Sequence, residues 1–246
     1  MKQPLIIAHR GASAYAPENT MSSFRKALFM GSDGIELDVQ LTIDGHPVVI
    51  HDEKIDRTSN GSGFVKNLTF EELGRYDFGG WYSSEFTGEK ISALSEVLEL
   101  LSDKEMLLNI ELKNNVVKYE GMEKTVINLI RKYGFEKKVI LSSFNHYSMF
   151  EIKEIAPDLK VGLLYSHGIV FPWDYAARLN ADAIHPLYYN INSELTELCK
   201  KNNIRINTYT VDDAELIMKF ANLGVDGIIT NVPDIALEVL KDFRKP

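Results

Sequence analysis

Eight short runs rich in Ile, Val and Leu alternate with helical patterns along the chain. Continuous apolar runs of this length are typical of parallel strands whose sheet is covered on both faces. They lie at 5–8, 34–39, 107–112, 139–141, 161–164, 182–184, 205–209 and 227–230. Helical patterns lie at 20–30, 92–102, 121–133, 146–155, 173–180, 193–203, 213–223 and 234–243. This alternation over 246 residues predicts an α/β fold, a TIM (β/α)8 barrel.

A ninth extended run at 47–51 does not fit the alternation. Only a few residues around Asp44-Gly45 separate it from the strand before it. A parallel crossover needs a dozen or more residues, so the two runs cannot be parallel neighbours. Asp-Gly between apolar runs is typical of a tight hairpin turn. We therefore predict a β-hairpin over 35–52 that projects from the C-terminal end of the second barrel strand.

The predicted hairpin also fixes which side chains lie opposite one another. If Asp44-Gly45 forms a two-residue turn, Asp38 lies opposite His51 and Glu36 opposite Glu53. Residues 36 and 38 share one face of a strand because side chains alternate with a period of two. We expect the hairpin to bring these groups together at the C-terminal face of the barrel, where this fold carries its active sites.

Carboxylates at this face suggest a metal site. Glu36, Asp38 and Glu111 come from separate places in the chain and would repel one another unless a cation lay between them. Ligands that are all oxygen favour Mg²⁺ or Ca²⁺ over zinc. The alternative is ordinary ion pairing, of Glu111 with Lys113 or of Glu36 with Arg10.

Histidines and basic residues lie at the same strand ends. His9 and His51 have side chains that can accept and donate protons near neutral pH. Arg10 and Lys113 could bind an anionic group such as a phosphate. His185 either is structural or lines the pocket. Together these residues predict a metal-dependent phosphodiesterase or phosphatase.

Composition narrows the partners further. The net charge of −8 argues against a nucleic-acid binder that neutralises phosphates. A single cysteine, Cys199, argues against a disulfide framework or a Cys-rich zinc site. We see neither a signal-peptide pattern nor a run as long as a membrane helix, so we expect a cytoplasmic protein without stable membrane insertion. The expected partner is a small-molecule substrate.

Several motifs, taken together and in order, resemble the signature of the glycerophosphodiester phosphodiesterase family. Each motif is weak alone, but the set spans nearly the whole chain at the family's spacings. The motifs are His9-Arg10-Gly11, Ala16-Pro17-Glu18-Asn19-Thr20, Glu36-Leu37-Asp38-Val39-Gln40-Leu41-Thr42, His51-Asp52, Glu111-Leu112-Lys113 and the run from Asp226 to Asp234.

The resemblance implies a TIM barrel that hydrolyses glycerophosphodiesters to sn-glycerol 3-phosphate and an alcohol such as choline, ethanolamine or glycerol. It implies one divalent cation, Mg²⁺ or Ca²⁺. It also implies a single domain over 1–246, with a small insertion at 54–91 that shapes the substrate pocket. By motif, the acid/base pair is His9 and His51, the metal ligands are Glu36, Asp38 and Glu111, and the phosphate contacts are Arg10 and Lys113.

Some positions depart from the family pattern, at 92–94, 209–212 and 231–234. They leave the headgroup preference open and do not touch the predicted metal or histidine set. Two other functions stay possible at this stage, a lipid phosphodiesterase such as a lysophospholipase D and a binding or sensing protein without turnover. The nucleophile is also open between the substrate's C2 hydroxyl and a water molecule, and so is which histidine acts first as base.

Overall fold

The computed structural model describes residues 3–241. Its strands are β1 (Leu5–His9), β2 (Gly34–Leu41), β3 (Pro47–Val49), β4 (Ser92–Ala93), β5 (Leu107–Leu112), β6 (Val139–Ser143), β7 (Lys160–Tyr165), β8 (Ala183–Pro186), β9 (Arg205–Thr208) and β10 (Gly227–Thr230). Its α-helices are α1 (Met21–Met30), α2 (Phe70–Leu73), α3 (Leu94–Leu100), α4 (Met122–Tyr133), α5 (His146–Ile155), α6 (Pro172–Arg178), α7 (Ser193–Lys201), α8 (Ala214–Leu223) and α9 (Pro233–Val239).

Within these residues the strands β1, β2 and β5–β10 pair in parallel and close into a barrel. β1 pairs with β10 on one side and with β2 on the other, which closes the ring. A helix follows each barrel strand, although the hairpin and the insertion intervene after β2. The predicted TIM barrel is therefore confirmed. None of the described helices has the length and apolar character that would let it cross a bilayer.

The helix boundaries follow from local chemistry. Thr20 caps α1 by accepting a hydrogen bond from the backbone N–H of Ser23, and Gly31 ends the helix with a positive φ of 78°. The predicted helix over 92–102 is shorter, because its first two residues form β4 instead. The predicted helix over 234–243 ends at Val239, and residues 242–243 lie outside the described residues.

The hairpin is present, but its predicted register is wrong by one residue. Val39 lies opposite Val49, and the backbone N–H of Ile50 donates to the carbonyl of Asp38 at 2.9 Å. Asp38 is therefore opposite Ile50 and not His51. The predicted pairing of Glu36 with Glu53 is also wrong, since the carbonyl of Glu53 accepts from a residue of the insertion.

The turn explains the shift. The backbone N–H of Thr42 donates to the carbonyl of His46 at 3.1 Å, which leaves three residues in the loop instead of two. Gly45 is the third of them and has a φ of 79°. A type I turn followed by a glycine in the left-handed region is the usual three-residue hairpin, and the extra residue moves the second strand by one position. β3 then pairs with β4 on its other edge.

The insertion at 54–91 has a small apolar core of its own, apart from the main core of the barrel. Short 3₁₀-helices at Val65–Asn67 and Ser84–Phe86 flank α2. The buried side chains of this core are Val48, Ile50, Ile55, Val65, Leu73, Phe78 and Ile91. Because two of these residues belong to the hairpin strand and its end, the core attaches the insertion to β3. The single-domain assignment of 1–246 stays a prediction.

His185 lies inside the barrel and is fully buried. Its Nε2 accepts a hydrogen bond from Nδ2 of Asn207 at 3.0 Å, and burial lowers its pKa to about 3, so the ring is neutral at physiological pH. The ring lies against Gly162, where a Cβ would come within 2.8 Å of ring carbons Cδ2 and Cε1. A structural role in the barrel interior therefore accounts for this histidine.

We expect Gly162→Ala to destabilise the protein, because the added methyl group would overlap a buried ring that cannot move away. Overpacking of this kind costs about 1–3 kcal/mol, and each kcal/mol lowers the Tm of a chain of this size by about 2–4 °C. The control is Gly168→Ala, whose Cβ would meet only Asn190 at 3.9 Å. Thermal unfolding of both variants tests this; equal Tm values would contradict it.

Candidate active site

The predicted metal ligands converge at the C-terminal end of the barrel. Glu36 and Asp38 come from β2 and Glu111 from the neighbouring β5, where the register sets Asp38 beside Glu111. All three are buried, and one oxygen of each lies within 4.8 Å of the others. The barrel therefore holds three acidic side chains at a distance that a single cation could bridge.

Each carboxylate accepts a hydrogen bond at one of its oxygens. Oε2 of Glu36 accepts from the backbone N–H of Arg10 at 2.9 Å, and Oδ2 of Asp38 accepts from Nδ2 of Asn19 at 2.8 Å. Oε1 of Glu111 accepts from Nζ of Lys113 at 2.7 Å. No donor within residues 3–241 makes a hydrogen bond to the second oxygen of any of the three. Carboxylate oxygens are hard donors, which fits Mg²⁺ or Ca²⁺.

The electrostatics agree with this assignment. Burial and repulsion from Asp38 and Glu111 raise the pKa of Glu36 well above its usual value. Burial and Asp38 likewise raise the pKa of Glu111. For Asp38, Arg10 and Lys113 outweigh the effect of burial and lower the pKa. A divalent cation among the oxygens would remove the repulsion that keeps two of these groups hard to ionise.

His9 reaches the same place from the end of β1. Its Nδ1 is 2.7 Å from Oδ1 of Asn231, and Asn231 donates through Nδ2 to the carboxylate of Asp212 at 2.6 Å. Because the amide nitrogen faces a carboxylate, the amide oxygen faces His9, and Nδ1 is the protonated ring nitrogen. Nε2 is then free in the neutral ring and lies 4.0 Å from Oε2 of Glu36. Burial and Arg10 lower the pKa of His9 to about 4.

His51 follows β3 and is half-buried. Its Nδ1 is 2.7 Å from Oδ1 of Asp52, a carboxylate, so Nδ1 donates and Nε2 is left for other partners. His51 is close enough to the acidic cluster that, when protonated, it would help to lower the pKa of both Asp38 and Glu111. The hairpin therefore delivers His51 to the site although the predicted pairing with Asp38 is wrong.

The two predicted phosphate-binding residues flank the acidic cluster. Nε of Arg10 is 3.2 Å from Oδ2 of Asp38, and its Nη1 donates to Glu18 at 2.8 Å. Arg10 has a φ of 56°, and Gly11 follows it at 78°, so the chain turns sharply after β1. A Cβ at Gly11 would lie 2.7 Å from the backbone of Ser23, which leaves room there for glycine alone. This turn directs the Arg10 side chain towards the cluster.

Lys113 is central to the alternative that the acidic residues form ordinary ion pairs instead of a metal site. Its ammonium group contacts Glu111 at 2.7 Å and lies 3.8 Å from Asp38. The pairing of Glu111 with Lys113 is therefore present, but it uses only one oxygen of the carboxylate. The pairing proposed for Glu36 and Arg10 is made by the backbone N–H and not by the guanidinium group. Ion pairing and a cation site are thus compatible at this cluster.

Several residues that contact the site were not singled out in the sequence analysis. Glu18, Asn19 and Asn231 lie within the motifs quoted above, but as common polar residues they carried no signal of their own. Asp212 and Arg57 had none either, because their contacts join segments far apart in the chain. Arg57 lies 39 positions from its partner Glu18. Only the closed barrel and the packed insertion reveal these contacts.

Comparison with known proteins decides the family. The sequence model of the glycerophosphoryl diester phosphodiesterase family matches residues 9–235. The chain belongs to this family. It is 51% identical over 237 residues to a glycerophosphodiester phosphodiesterase of Caldanaerobacter subterraneus subsp. tengcongensis, covering 96% of this chain and 98% of that protein. It is 34% identical to a glycerophosphodiester phosphodiesterase of Bacillus subtilis, covering 97% and 87%.

Solved structures of the family share the fold. A glycerophosphodiester phosphodiesterase from Agrobacterium tumefaciens has a TM-score of 0.84 at 32% identity, covering 96% of this chain and 99% of that one. A phosphodiesterase from Oleispira antarctica, solved with its product sn-glycerol 3-phosphate, has a TM-score of 0.87 at 29% identity and 97% coverage of both chains. As a member of this family, the protein is an enzyme that hydrolyses glycerophosphodiesters.

We expect Asn231→Ala to lower kcat by about 10- to 100-fold, part of the roughly 10²–10⁴-fold that a positioned acid or base contributes. The reason is that Nδ1 of His9 loses the acceptor that fixes its protonation and orientation. The comparison variant is Ser13→Ala, which removes a hydrogen bond to the same amide oxygen and one to the backbone carbonyl of His9, but leaves the contact of the His9 ring with Asn231. Steady-state kinetics test this; a larger loss for Ser13→Ala would contradict it.

Proposed function

We propose that this phosphodiesterase uses one divalent cation, Mg²⁺ or Ca²⁺, and releases sn-glycerol 3-phosphate together with the alcohol of the headgroup. The observation that supports it most is the buried cluster of Glu36, Asp38 and Glu111, whose carboxylate oxygens lie within 4.8 Å of one another. The product bound to the Oleispira antarctica relative supports the assignment of the bond that breaks.

The residues take the following roles. Glu36, Asp38 and Glu111 hold the cation, which when bound supplies Lewis-acid stabilisation of the phosphate charge. Arg10 and Lys113 bind phosphate oxygens, for which a planar guanidinium and a compact ammonium group are both suited. The side chains of Arg10 and Lys113 already contact carboxylates of the cluster. The substrate phosphate would therefore meet hydrogen-bond donors that the protein holds in place.

The two histidines move the protons. Each uses Nδ1 for a contact with the protein, so Nε2 is the atom that would meet the substrate. Behind His51 lies the carboxylate of Asp52, which stabilises positive charge on the ring, whereas His9 has the neutral amide of Asn231. We therefore assign His9 as the first base and His51 as the acid that protonates the leaving alcohol.

The substrate's own C2 hydroxyl is the proposed nucleophile. With His9 taking its proton, the hydroxyl oxygen forms a bond to phosphorus while the bond from phosphorus to the headgroup oxygen breaks. His51 protonates that oxygen, and the products are a cyclic phosphate and the alcohol. Water then opens the ring with the histidines in exchanged roles. Attack within one molecule benefits from a high effective molarity. Direct attack by water is the alternative.

The experiment that tests the function is product analysis with glycerophosphocholine and glycerophosphoethanolamine. We expect sn-glycerol 3-phosphate with free choline or ethanolamine from the wild-type enzyme. Phosphocholine and glycerol as products would show that the other ester bond breaks. The relative rates of the two substrates also give the headgroup preference, which the sequence left open.

The nucleophile has its own test, a substrate in which hydrogen replaces the C2 hydroxyl. We expect this analogue to bind as a competitive inhibitor and scarcely to react, because it lacks the attacking group. Turnover within about tenfold of the parent, a barrier change of about 1.4 kcal/mol, would instead favour attack by water. Trapping of the cyclic phosphate by rapid quench is an independent measurement of the same step.

Metal dependence is tested with a ligand variant and a matched control. We expect chelation to abolish turnover, and Mg²⁺ or Ca²⁺ to restore it. Glu111→Gln should lower activity by at least about 100-fold, which is more than the loss of a residue that only hydrogen-bonds a metal ligand costs. The variant should also lose the rise in Tm that added cation gives the wild type. Glu105→Gln, at an exposed ion pair with Lys138, should do neither. Full activity in excess chelator would contradict the proposal.

The sequence also led to expectations about turnover, location and partners. Membership of the family favours an enzyme over a binding or sensing protein without turnover. The cytoplasmic location and the lack of a nucleic-acid partner stay predictions, and the oligomeric state stays open.

A further inference from the structure

We propose that Arg57, a residue of the insertion, is a positioning residue that holds both sides of the active site in place through two carboxylates. The inference rests on the proposed function, because it assigns Arg57 the task of orienting the acid His51 and the phosphate ligand Arg10. It gives the insertion a part in the reaction beyond shaping a pocket.

The guanidinium group of Arg57 contacts two carboxylates at once. Nη1 and Nη2 each donate to one oxygen of Glu18 at 2.8 Å, which is a bidentate pair. Nε donates to Oδ2 of Asp52 at 2.7 Å, and Nη2 also reaches Oδ1 of Asp52 at 3.1 Å. Two adjacent edges of the planar group are therefore occupied. A lysine could not reproduce this, since its ammonium group is a single point of contact.

Each carboxylate in turn holds a residue of the site. Oδ1 of Asp52 is 2.7 Å from Nδ1 of His51, so Asp52 sets the orientation of that ring. Oε1 of Glu18 accepts from Nη1 of Arg10 at 2.8 Å, and Nε of Arg10 lies 3.2 Å from Asp38. Arg57 thus links His51, the proposed acid that follows the hairpin, to Arg10, the proposed phosphate-binding residue that follows β1.

Charge makes this link one of mutual dependence. Glu18 and Asp52 would repel each other without the positive group between them. Hydrogen bonds from Arg57, with the charge of His51, lower the pKa of Asp52 to about 2. The pKa of Glu18 is also lowered, because Arg57 and Arg10 outweigh the effect of burial. Removing Arg57 would leave both carboxylates free to turn, and the ring of His51 and the guanidinium group of Arg10, which contact them, would turn with them.

The packing of the insertion fixes the position of the backbone at Arg57. Its neighbours Ile55 and Thr58 are buried, and Ile55 belongs to the small core of the insertion. The backbone N–H of Ile55 donates to the carbonyl of Gly63 at 3.0 Å. The backbone at Arg57 is therefore anchored on both sides, while 44% of its side chain is exposed to solvent. That exposure makes the side chain accessible to a small molecule that could replace it.

The experiment compares Arg57→Ala, Arg57→Lys and the matched control Arg75→Ala. Arg75 lies in the same insertion and pairs with Glu71 at the surface. We expect both Arg57 variants to lose about 10- to 100-fold in kcat, since misplacement of groups by about 1 Å can cost 10²-fold. Millimolar guanidinium should restore part of kcat in Arg57→Ala and have no such effect on Arg75→Ala or on the wild type.

A second readout does not depend on turnover. In proton NMR we expect a slowly exchanging Nδ1–H signal of His51, assigned by its loss in Asp52→Asn, to be lost or to exchange faster in Arg57→Ala. Wild-type kcat in Arg57→Ala with a lowered Tm would overturn the proposal and leave Arg57 a structural role. Absence of turnover in the wild type would instead contradict the proposed function. The NMR comparison would then decide the role of Arg57, and an unchanged His51 signal in Arg57→Ala would overturn that role.

Discussion

Repulsion among three buried carboxylates is the constraint on which this site depends. Glu36, Asp38 and Glu111 have oxygens within 4.8 Å of one another, where like charges are costly in a dry environment. Arg10 and Lys113 offset part of that cost, and a divalent cation would offset the rest. Most of what surrounds the cluster, from the sharp turn after β1 to the salt-bridged carboxylates outside it, supplies or holds those positive charges.

The barrel makes such a cluster possible because its strands hold side chains at fixed spacing. The period of two puts Glu36 and Asp38 on one face, and the parallel register of β2 with β5 sets Glu111 beside Asp38. Neither arrangement needs a flexible loop. His51 and Arg10, the groups that we propose act on the substrate, are instead held from the outside, by carboxylates that one arginine of the insertion joins.

The two histidines of the site differ in the residue that each one contacts through Nδ1. Both use Nδ1 for a contact with the protein, so the direction in which each ring can act is the same. Their partners differ, since His51 has the carboxylate of Asp52 and His9 has the amide of Asn231. A charged partner stabilises an imidazolium more than a neutral one does. The acid and base roles that we propose for the two rings rest on this difference in partner.

The sequence by itself determined the barrel, because apolar runs set the strands. It also predicted that Glu36, Asp38 and Glu111 lie together, because polar residues at strand ends have no place in a core. It also determined that a hairpin follows β2. The register of that hairpin was decided by the structure, since Asp44-Gly45 fits a two-residue turn and a three-residue loop alike. A two-residue turn needs a positive φ at both residues, and in the structure only Gly45 has one. The tertiary structure alone revealed the contacts of Arg57 with Glu18 and of Asn231 with His9 and Asp212. Their hydrogen bonds join distant segments, and only packing of the insertion and closure of the barrel bring those segments together.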